Sequence, residues 1–307
     1  MERRVLTVEY EQVEPIAKAL ASPARRRILD TLVDGELSIQ QLAEELSIPQ
    51  STCTVNVQSL ERAGLVQTRS EAGKKGSRKL CSVTFDEAVI PLHKLALSGA
   101  TDHLEIDMPI GLYTDSNISA PCGLVSDTSI IGNFDQTESF LDPHRASAQL
   151  IWFTYGWLEY SFPVNLSPEQ SITAIALSCE VCSEFPGYKN EWPSDITLWI
   201  EGREIGTWTS PGDMGGARGR LSPNWWSLEN TQYGYLKEWR VNQKGSFLDG
   251  SSASPVTLED LNLAGKSRIR LALGVKEDAA NRGGMNIFGN KFGNHEQQVT
   301  LRVELDE

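Results

Sequence analysis

The sequence is poor in the runs and motifs that mark several large classes of protein. Its longest apolar runs fall far short of the ~20 residues that a membrane-spanning helix needs. Its start, MERRVLTVEYEQVEP, holds no apolar stretch and no small-residue cleavage site, so we expect no signal peptide and a cytoplasmic protein. The five cysteines are an odd number and lie scattered along the chain. This spacing is not that of a disulfide framework and fits a reducing compartment.

Motifs for catalysis and for metal binding are also missing. The chain has four histidines and contains no His-x-x-x-His, no Gly-x-Ser-x-Gly and no Gly-x-x-x-x-Gly-Lys-Ser/Thr. Cys179 and Cys182 form one Cys-x-x-Cys, but a zinc ribbon needs a second pair. We interpret both cysteines as strand residues, since side chains three apart in a strand point to opposite faces. We predict no metal site, no cofactor and no catalytic residue.

Charge and tryptophan are distributed unevenly, which predicts two domains with different roles. Residues 1–98 hold 13 Lys and Arg against 13 Asp and Glu, whereas residues 99–307 hold 15 against 28. The second part therefore carries all of the net charge of −13. All eight tryptophans lie beyond residue 150. An acidic surface is repelled by phosphate, so only the neutral first part suits nucleic acid.

The first hundred residues show helical patterns followed by a hairpin. Apolar residues at helical spacing predict helices in VEPIAKALAS, in ARRRILDTLVDG after Ser22-Pro23, in SIQQLAEEL capped by Ser38, and in QSTCTVNVQSLERAG. The second of these is expected to bury Ile28, Leu29, Leu32 and Val33 and to end at Gly35. LVQTRSEAGKKGSRKLCSVTF then reads as two strands around a Gly- and Lys-rich tip. This order predicts a mainly α winged helix-turn-helix in residues 1–98.

The fourth helix has an unusual polar face. It carries short hydrogen-bonding groups instead of the Lys and Glu of an ordinary solvated face, and Glu61 at its far end is its one acid. Such groups can meet base edges in the major groove, and cations on the hairpin can meet phosphates. The predicted DNA contacts are Gln50, Ser51, Thr52, Thr54, Asn56 and Gln58 for bases, and Lys74, Lys75, Arg78 and Lys79 for phosphates. A helical domain of this kind can also serve as a protein-interaction module.

The stretch ASPARRRILDTLVDGELSIQQLAEEL, followed by SIPQSTCTVNVQSLERAGLV, resembles the DNA-binding core of ArsR-type regulators over roughly residues 10–95. The resemblance implies a homodimer joined through the first and last helices, here near residues 8–21 and 86–98. Ser38 and Gln40 stand where metal-sensing members carry thiolates, and His93 lacks a second histidine at helical spacing. We therefore do not expect a metal-responsive switch here.

Residues 99–109 are predicted to be a linker, and residues 110–307 an all-β domain. Segments such as DITLWIEGREIGTWTS, SRIRLALGVK and QQVTLRVEL alternate like strands, and Gly, Pro, Asn and Asp clusters separate them. No βαβ rhythm occurs, so a jelly-roll-like β-sandwich is expected. The hairpin in DITLWIEGREIGTW resembles one found in carbohydrate-binding sandwiches.

Three long loops of the second part combine glycine with aromatic and charged residues. Exposed rings in loops can stack on a sugar, whose hydroxyls need polar partners. The candidate ligand residues are Glu184, Tyr188, Lys189, Trp192, Asp213, Arg218, Arg220, Trp225, Trp226, Tyr233 and Asn286. The alternative is that these rings form a small additional core over the ends of the sandwich.

The sequence thus predicts a homodimeric, DNA-binding transcriptional regulator, a repressor, whose sandwich senses a small polar ligand such as a carbohydrate. Ligand binding would shift the dimer between states that differ in DNA affinity. A second interpretation makes the sandwich a platform for dimerisation or protein docking, with no small ligand. A third is an enzyme acting on polysaccharide, although no pair of carboxylates can be located from spacing.

Overall fold

A computed structural model describes residues 4–8, 12–33, 35–73, 76–85, 87–90, 103–164 and 170–306 of the chain. The chain divides into two compact units, Met1–Ala100 and Thr101–Glu307. No helix among the described residues is both long and apolar enough to cross a membrane.

The N-terminal unit is a winged helix-turn-helix, as predicted. Its elements are β1 (Val5–Thr7), α1 (Val13–Leu20), α2 (Pro23–Thr31), β2 (Leu37–Ser38), α3 (Ile39–Glu45), α4 (Gln50–Arg62), β3 (Val66–Gly73), β4 (Gly76–Val83) and β5 (Glu87–Val89). Strands β3 and β4 form the antiparallel hairpin, and β2 pairs with β4 at its edge. Strands β1 and β5 pair in parallel.

Local sequence signals explain how these helices begin and end. Pro23 occupies the first turn of α2, where its missing N–H would have no helical partner. Ser38 caps α3 in a capping box with Gln41. The backbone N–H of Gln41 donates to the Ser38 hydroxyl at 3.3 Å, and the Gln41 side chain accepts in return from the backbone N–H of Ser38. Helix α4 is followed by Gly64, whose φ of +74° is a conformation that glycine adopts without strain. Residues close to the helix ends therefore set where α2 and α3 begin and where α4 ends.

Two details of the N-terminal unit differ from prediction. Helix α2 ends at Thr31 rather than near Gly35, because the N–H of Leu32 turns to the carbonyls of both Ile28 and Leu29. Val33 lies past that turn and is 72 % exposed instead of buried. Residues 87–89 form a strand on β1, not the start of a last helix, and residues 91–98 lie outside the described residues.

The C-terminal unit is built from antiparallel strands. They are β6 (His103–Met108), β7 (Asp115–Val125), β8 (Ile130–Ile131), β9 (Leu150–Pro163), β10 (Ile172–Cys182), β11 (Ser194–Ile200), β12 (Arg203–Ser210), β13 (Tyr235–Asn242), β14 (Gly245–Leu248), β15 (Ser251–Ser254), β16 (Arg268–Val275), β17 (Met285–Phe288) and β18 (Val299–Leu305). A short helix α5 (Leu258–Leu261) and two 3₁₀ helices, Thr137–Leu141 and Pro143–Ser147, lie between strands.

The pairing groups these strands into two layers. One layer has the order β12-β11-β16-β9-β7-β8, and the other has β6-β18-β10-β13-β14-β15. Side chains of both layers, such as Leu273 and Leu158 of the first and Leu177 and Leu301 of the second, belong to one hydrophobic core. Strand β17 pairs with β9 and also with β10, so it joins the layers at one end. This arrangement confirms the predicted β-sandwich.

The predicted linker 99–109 is wrong for residues 103–108. Strand β6 pairs with β18 from His103 to Met108, so the sandwich includes residues placed before its predicted start at 110. Leu104, Ile106 and Met108 are half-buried against the core, whereas the residues between them are exposed. This alternation of exposed polar and half-buried apolar residues is a strand signal of period two, which the prediction of a linker overlooked.

Candidate nucleic-acid interface and ligand pocket

One face of α4 is buried and the other is open. Cys53, Val57 and Leu60 are fully buried in the core of the N-terminal unit. The predicted base-reading residues Gln50, Ser51, Thr52 and Gln58 are exposed, whereas Thr54 and Asn56 are half-buried. Val55 lies among them and is 63 % exposed. The uncharged polar face expected from the sequence is therefore available at the surface of this unit.

Two of the predicted base-reading side chains are bonded to their own helix. The Thr54 hydroxyl donates to the carbonyl of Gln50 at 2.8 Å, and the Asn56 amide donates to the carbonyl of Thr52 at 2.9 Å. Both bonds are local and exposed, so water or a base edge can replace them at low cost.

The wing carries its predicted cations in different settings. Lys74 and Lys75 lie outside the described residues, and Arg78 is exposed on β4. The ammonium of Lys79 lies 3.0 Å from a carboxylate oxygen of Glu61, and the Thr68 hydroxyl also donates to Glu61. Hydrogen bonds from Thr68 and Lys79 lower the pKa of Glu61 below its usual value. Lys79 therefore ties the wing to the end of α4, in addition to its predicted role at phosphate.

The C-terminal unit contains a pocket of about 230 Å³ near the strand β17 that joins its layers. Its lining comes from β7, β9, β17 and three loops. The lining residues are Pro121, Phe134, Asp135, Leu150, Trp152, Glu184, Phe185, Pro186, Gly187, Trp226, Asn230, Thr231 and Asn286.

Four of the predicted ligand residues lie in or directly behind this pocket. Glu184, Trp226 and Asn286 line it. Asp213 is fully buried behind it, where one carboxylate oxygen accepts from the Phe185 amide and from the Thr231 hydroxyl, both at 2.9 Å. The glycine-rich loops thus bring together residues that are up to a hundred positions apart in the sequence.

The other predicted ligand residues do not line the pocket, and several hold the loops in place. The Arg218 guanidinium donates to the carbonyls of Pro223 and Trp226, at 2.7 Å and 3.2 Å. The Trp225 indole donates to the carbonyl of Asp127 at 2.7 Å. Tyr188, Lys189, Trp192, Arg220 and Tyr233 also lie outside the lining.

Two of these outer residues pack against neighbouring groups of the loops. The Lys189 ammonium lies over the Trp192 ring, 4.6 Å from its centroid, and the Tyr188 ring packs where a side chain on Gly215 would clash. The alternative of a small additional core is correct in part. Trp226 belongs to a buried cluster with Trp152, Phe288 and Phe292, which forms the base of the pocket.

Sequence reasoning missed Phe134, Asp135 and Trp152, which form one side of the pocket. The Phe134 and Trp152 rings meet edge-on with centroids 5.0 Å apart. Gly123 makes this possible, because a Cβ there would come within 2.3 Å of the Trp152 ring and 2.9 Å of Phe134. Phe134 sits in a short Gly-Asn-Phe-Asp turn, so the rule of exposed rings in loops could have found it; Trp152, within a strand, gave no such signal.

Burial controls the pKa values of Glu184, which lines the pocket, and of Asp213, which lies behind it. It raises the pKa of Asp213 from 3.8 to about 7, against hydrogen bonds from Phe185 and Thr231 that lower it. Burial also raises the pKa of Glu184 well above its ordinary value, and repulsion from Asp213 adds to this. Among the described residues neither acid has an ion-pair partner, and no group of three His, Cys, Asp or Glu could hold a metal ion.

Comparisons with known proteins concern the N-terminal unit. Residues 20–69 match the family model of a helix-turn-helix domain. The chain is 34 % identical over 94 residues to an HTH-type transcriptional regulator of Mycobacterium tuberculosis, covering 31 % of this chain and 39 % of that protein. It is 42 % identical over 57 residues to the transcriptional activator HlyU of Vibrio cholerae, covering 19 % and 53 %. The chain thus spans about half or less of the length of these relatives.

A smaller relative is covered more fully. An uncharacterised HTH-type transcriptional regulator of Methanocaldococcus jannaschii is 34 % identical over 64 residues, which are 20 % of this chain and 72 % of that protein. Among solved structures, the homodimeric winged helix-turn-helix DNA-binding domain of a possible ArsR-family regulator from Mycobacterium bovis is 34 % identical. That alignment covers 24 % of this chain and 64 % of the other, with a TM-score of 0.22.

Proposed function

Through its N-terminal unit the chain belongs to the ArsR-type winged helix-turn-helix transcriptional regulators, and from this premise we propose that it acts as a homodimeric repressor that binds double-stranded DNA. The observation that carries the proposal is the exposed, uncharged face of α4 within the matched residues 20–69. Gln50, Asn56 and Gln58 offer amide groups of the kind that pair with adenine edges. The wing adds Arg78 to the phosphate contacts.

The acidic C-terminal unit does not suit DNA, so its pocket supplies the second half of the proposal. We infer that the pocket binds a small polar molecule and that binding changes the affinity of the chain for its operator. A carbohydrate is the class that the sequence predicted, and the aromatic walls are compatible with stacking. The ligand can shift DNA affinity only by its differential affinity for the two states of the regulator.

The test begins with selection of bound duplexes from a random pool by the full chain. The variants Gln50→Ala and Asn56→Ala are then compared with wild type on selected and on random duplexes. Each should lose about 1–3 kcal/mol on the selected sequence and little on random DNA. Gln40, exposed on α3 and bonded to Glu44 at 2.9 Å, is the matched control. Gln40→Ala should affect both duplexes equally.

Equal losses on both duplexes for the α4 variants would mean that this face does not read sequence. Addition of candidate small molecules to the selected complex tests the second half. A change in DNA affinity supports ligand sensing, whereas binding without any change would favour a sandwich that serves another role.

A further inference from the structure

Acceptors predominate among the polar side chains that line the pocket, although Asn230 adds an amide donor and the Thr231 hydroxyl donates to Asp213 at 2.9 Å. The carboxyl groups of Glu184 and Asp135 and the side-chain oxygen of Asn286 all accept hydrogen bonds when the acids are charged. No Lys or Arg occurs among the lining residues, all of which the structure describes. A pocket of acceptors selects a ligand that is rich in donors.

Asn286 presents an acceptor without a partner. Its side chain is fully buried on β17, and its amide nitrogen donates to the carbonyl of Ser183 at 2.7 Å and to Glu184 at 2.8 Å. Its oxygen has no hydrogen-bond partner among the described residues. The two acceptors beside the nitrogen fix the orientation of the amide, so the oxygen can accept from a donor on a bound molecule.

Glu184 lacks the support that another buried acid receives. Glu180, on β10, accepts from the backbone amides of Gly234, Asn294 and His295 at 2.7–2.9 Å. The only hydrogen-bond donor to the Glu184 carboxyl among the described residues is the Asn286 amide. Burial raises the pKa of Glu184 and of Asp213, and the described residues place no ion-pair partner beside either acid. A positively charged ligand would supply the missing counter-charge.

Aromatic rings in contact with one another form one wall of the pocket. Trp152 and Trp226 have centroids 6.1 Å apart and an interplanar angle of 52°, and Phe134 meets Trp152 edge-on. Ring faces attract cations, and more strongly when water is excluded. A neutral sugar could also stack here, but its hydroxyl oxygens would find few donors. The volume of about 230 Å³ limits the ligand to a small molecule.

From this geometry we propose that the pocket binds a small primary ammonium ion, whose N–H groups donate to Glu184 and to the free oxygen of Asn286 while its alkyl part lies against the Trp152 and Trp226 rings. The proposed ammonium ion is the ligand class for the sensing role proposed above. Only the biological use of the site rests on that role. Binding itself stands on the residues of the pocket.

Calorimetric titration of the full chain, in phosphate buffer free of amines, tests the proposal. The probes are n-butylamine and n-butanol, which match in shape and differ in charge, and galactose as the neutral sugar. Butylamine should bind at least about tenfold more tightly than butanol. Tighter binding of galactose, or equal binding of amine and alcohol, would overturn the proposal.

Variants then locate the site. Glu184→Gln should weaken butylamine binding by about tenfold or more, because it keeps the shape and removes the charge. Asp135→Asn should weaken it several-fold, and asparagine can keep both the left-handed backbone (φ 60°) and the bond from the Cys122 amide at 3.0 Å. Glu191, exposed farther along the same loop and absent from the lining, is the matched control. Glu191→Gln should leave binding unchanged.

Thermal unfolding of each variant separates loss of the site from loss of the fold. Folded Glu184→Gln protein that binds butylamine like wild type would overturn the proposal. DNA affinity with and without butylamine is measured separately. If butylamine binds in a way that depends on Glu184 but leaves DNA affinity unchanged, the ammonium site stands and the sensing role is rejected. If butylamine does not bind while DNA recognition is intact, only the ammonium site is rejected.

Discussion

Carboxyl groups at the surface of the N-terminal unit and carboxyl groups at the pocket of the C-terminal unit are held in opposite ways. In the N-terminal unit Glu14, Glu36 and Glu61 lie at the surface, and hydrogen bonds to neighbours such as Lys18 and Arg69 lower their pKa values. In the pocket of the C-terminal unit, burial raises the pKa values of Glu184 and Asp213. A surface acid in an ion pair costs little and contributes little. A buried acid without a cation destabilises the fold, which points to a use other than stability.

The largest expected effect is a dependence of stability on pH at Asp213. Its pKa rises from 3.8 to about 7 on folding, so the folded state holds the proton over that range and the unfolded state does not. Stability from this group is full below about pH 4 and is lost as the pH rises to about 7. Asp213→Asn removes this dependence, so the variant should gain up to about 4 kcal/mol relative to wild type between these limits.

Urea unfolding of both proteins at several pH values measures the difference. Glu36→Gln, at an exposed and paired acid of the other unit, is the control and should show no gain over the same range. If the free energy of unfolding of wild type and of Asp213→Asn changed with pH in parallel, Asp213 would be charged in the folded protein. The contrast between the acids of the two units would then be wrong.

The next effect concerns the separate cores. Leu60 is fully buried in the N-terminal core, which shares no residue with the core of the sandwich. Leu60→Ala should destabilise by about 2–5 kcal/mol through lost burial and a cavity. Calorimetry should show one transition moving down in temperature while a second, from the sandwich, stays in place. A joint shift of all unfolding would contradict two independent units.

The smallest effect concerns Lys79 and its partner. Glu61→Gln removes the charge that Lys79 pairs with, so the ammonium becomes available to phosphate. The affinity for random duplex should rise, and the slope of log affinity against log salt should steepen by about one unit. Glu44→Gln, on α3 and without a cation among its hydrogen bonds, should leave the slope unchanged. An unchanged slope for Glu61→Gln would mean that Lys79 faces away from DNA.

The sequence predicted the N-terminal unit more fully than the pocket, for a physical reason. Helix caps, helical periodicity and a glycine turn are local signals, and Ser38, Pro23 and Gly64 act within a few residues of themselves. The sandwich was also predictable from alternation, and β6 carries the same alternation although it was assigned to the linker. The pocket combines Phe134, Trp152, Glu184 and Asn286 through strand pairing, and no local pattern specifies which loops will meet.

Some predicted ligand residues failed for a related reason. Composition marks the loops as rich in aromatic and charged groups but does not separate a ring that faces a ligand from a ring that anchors a loop. Trp225 and Trp226 are neighbours in the chain, yet one bonds the Asp127 carbonyl at the surface and the other lines the pocket. The difference is decided by contacts that are more than fifty residues distant in sequence.

Strand β17 has a consequence for whatever occupies the pocket. This four-residue segment hydrogen-bonds to both β9 and β10, and it carries Asn286 in its interior. A molecule held by Asn286 is therefore bound to a strand that pairs with both layers, rather than to a single layer of the sandwich. Its binding free energy is added to the stability of both layers at once. Occupancy of the pocket would therefore reduce the motion of both layers, on the side of β9 as well as on the side of β10.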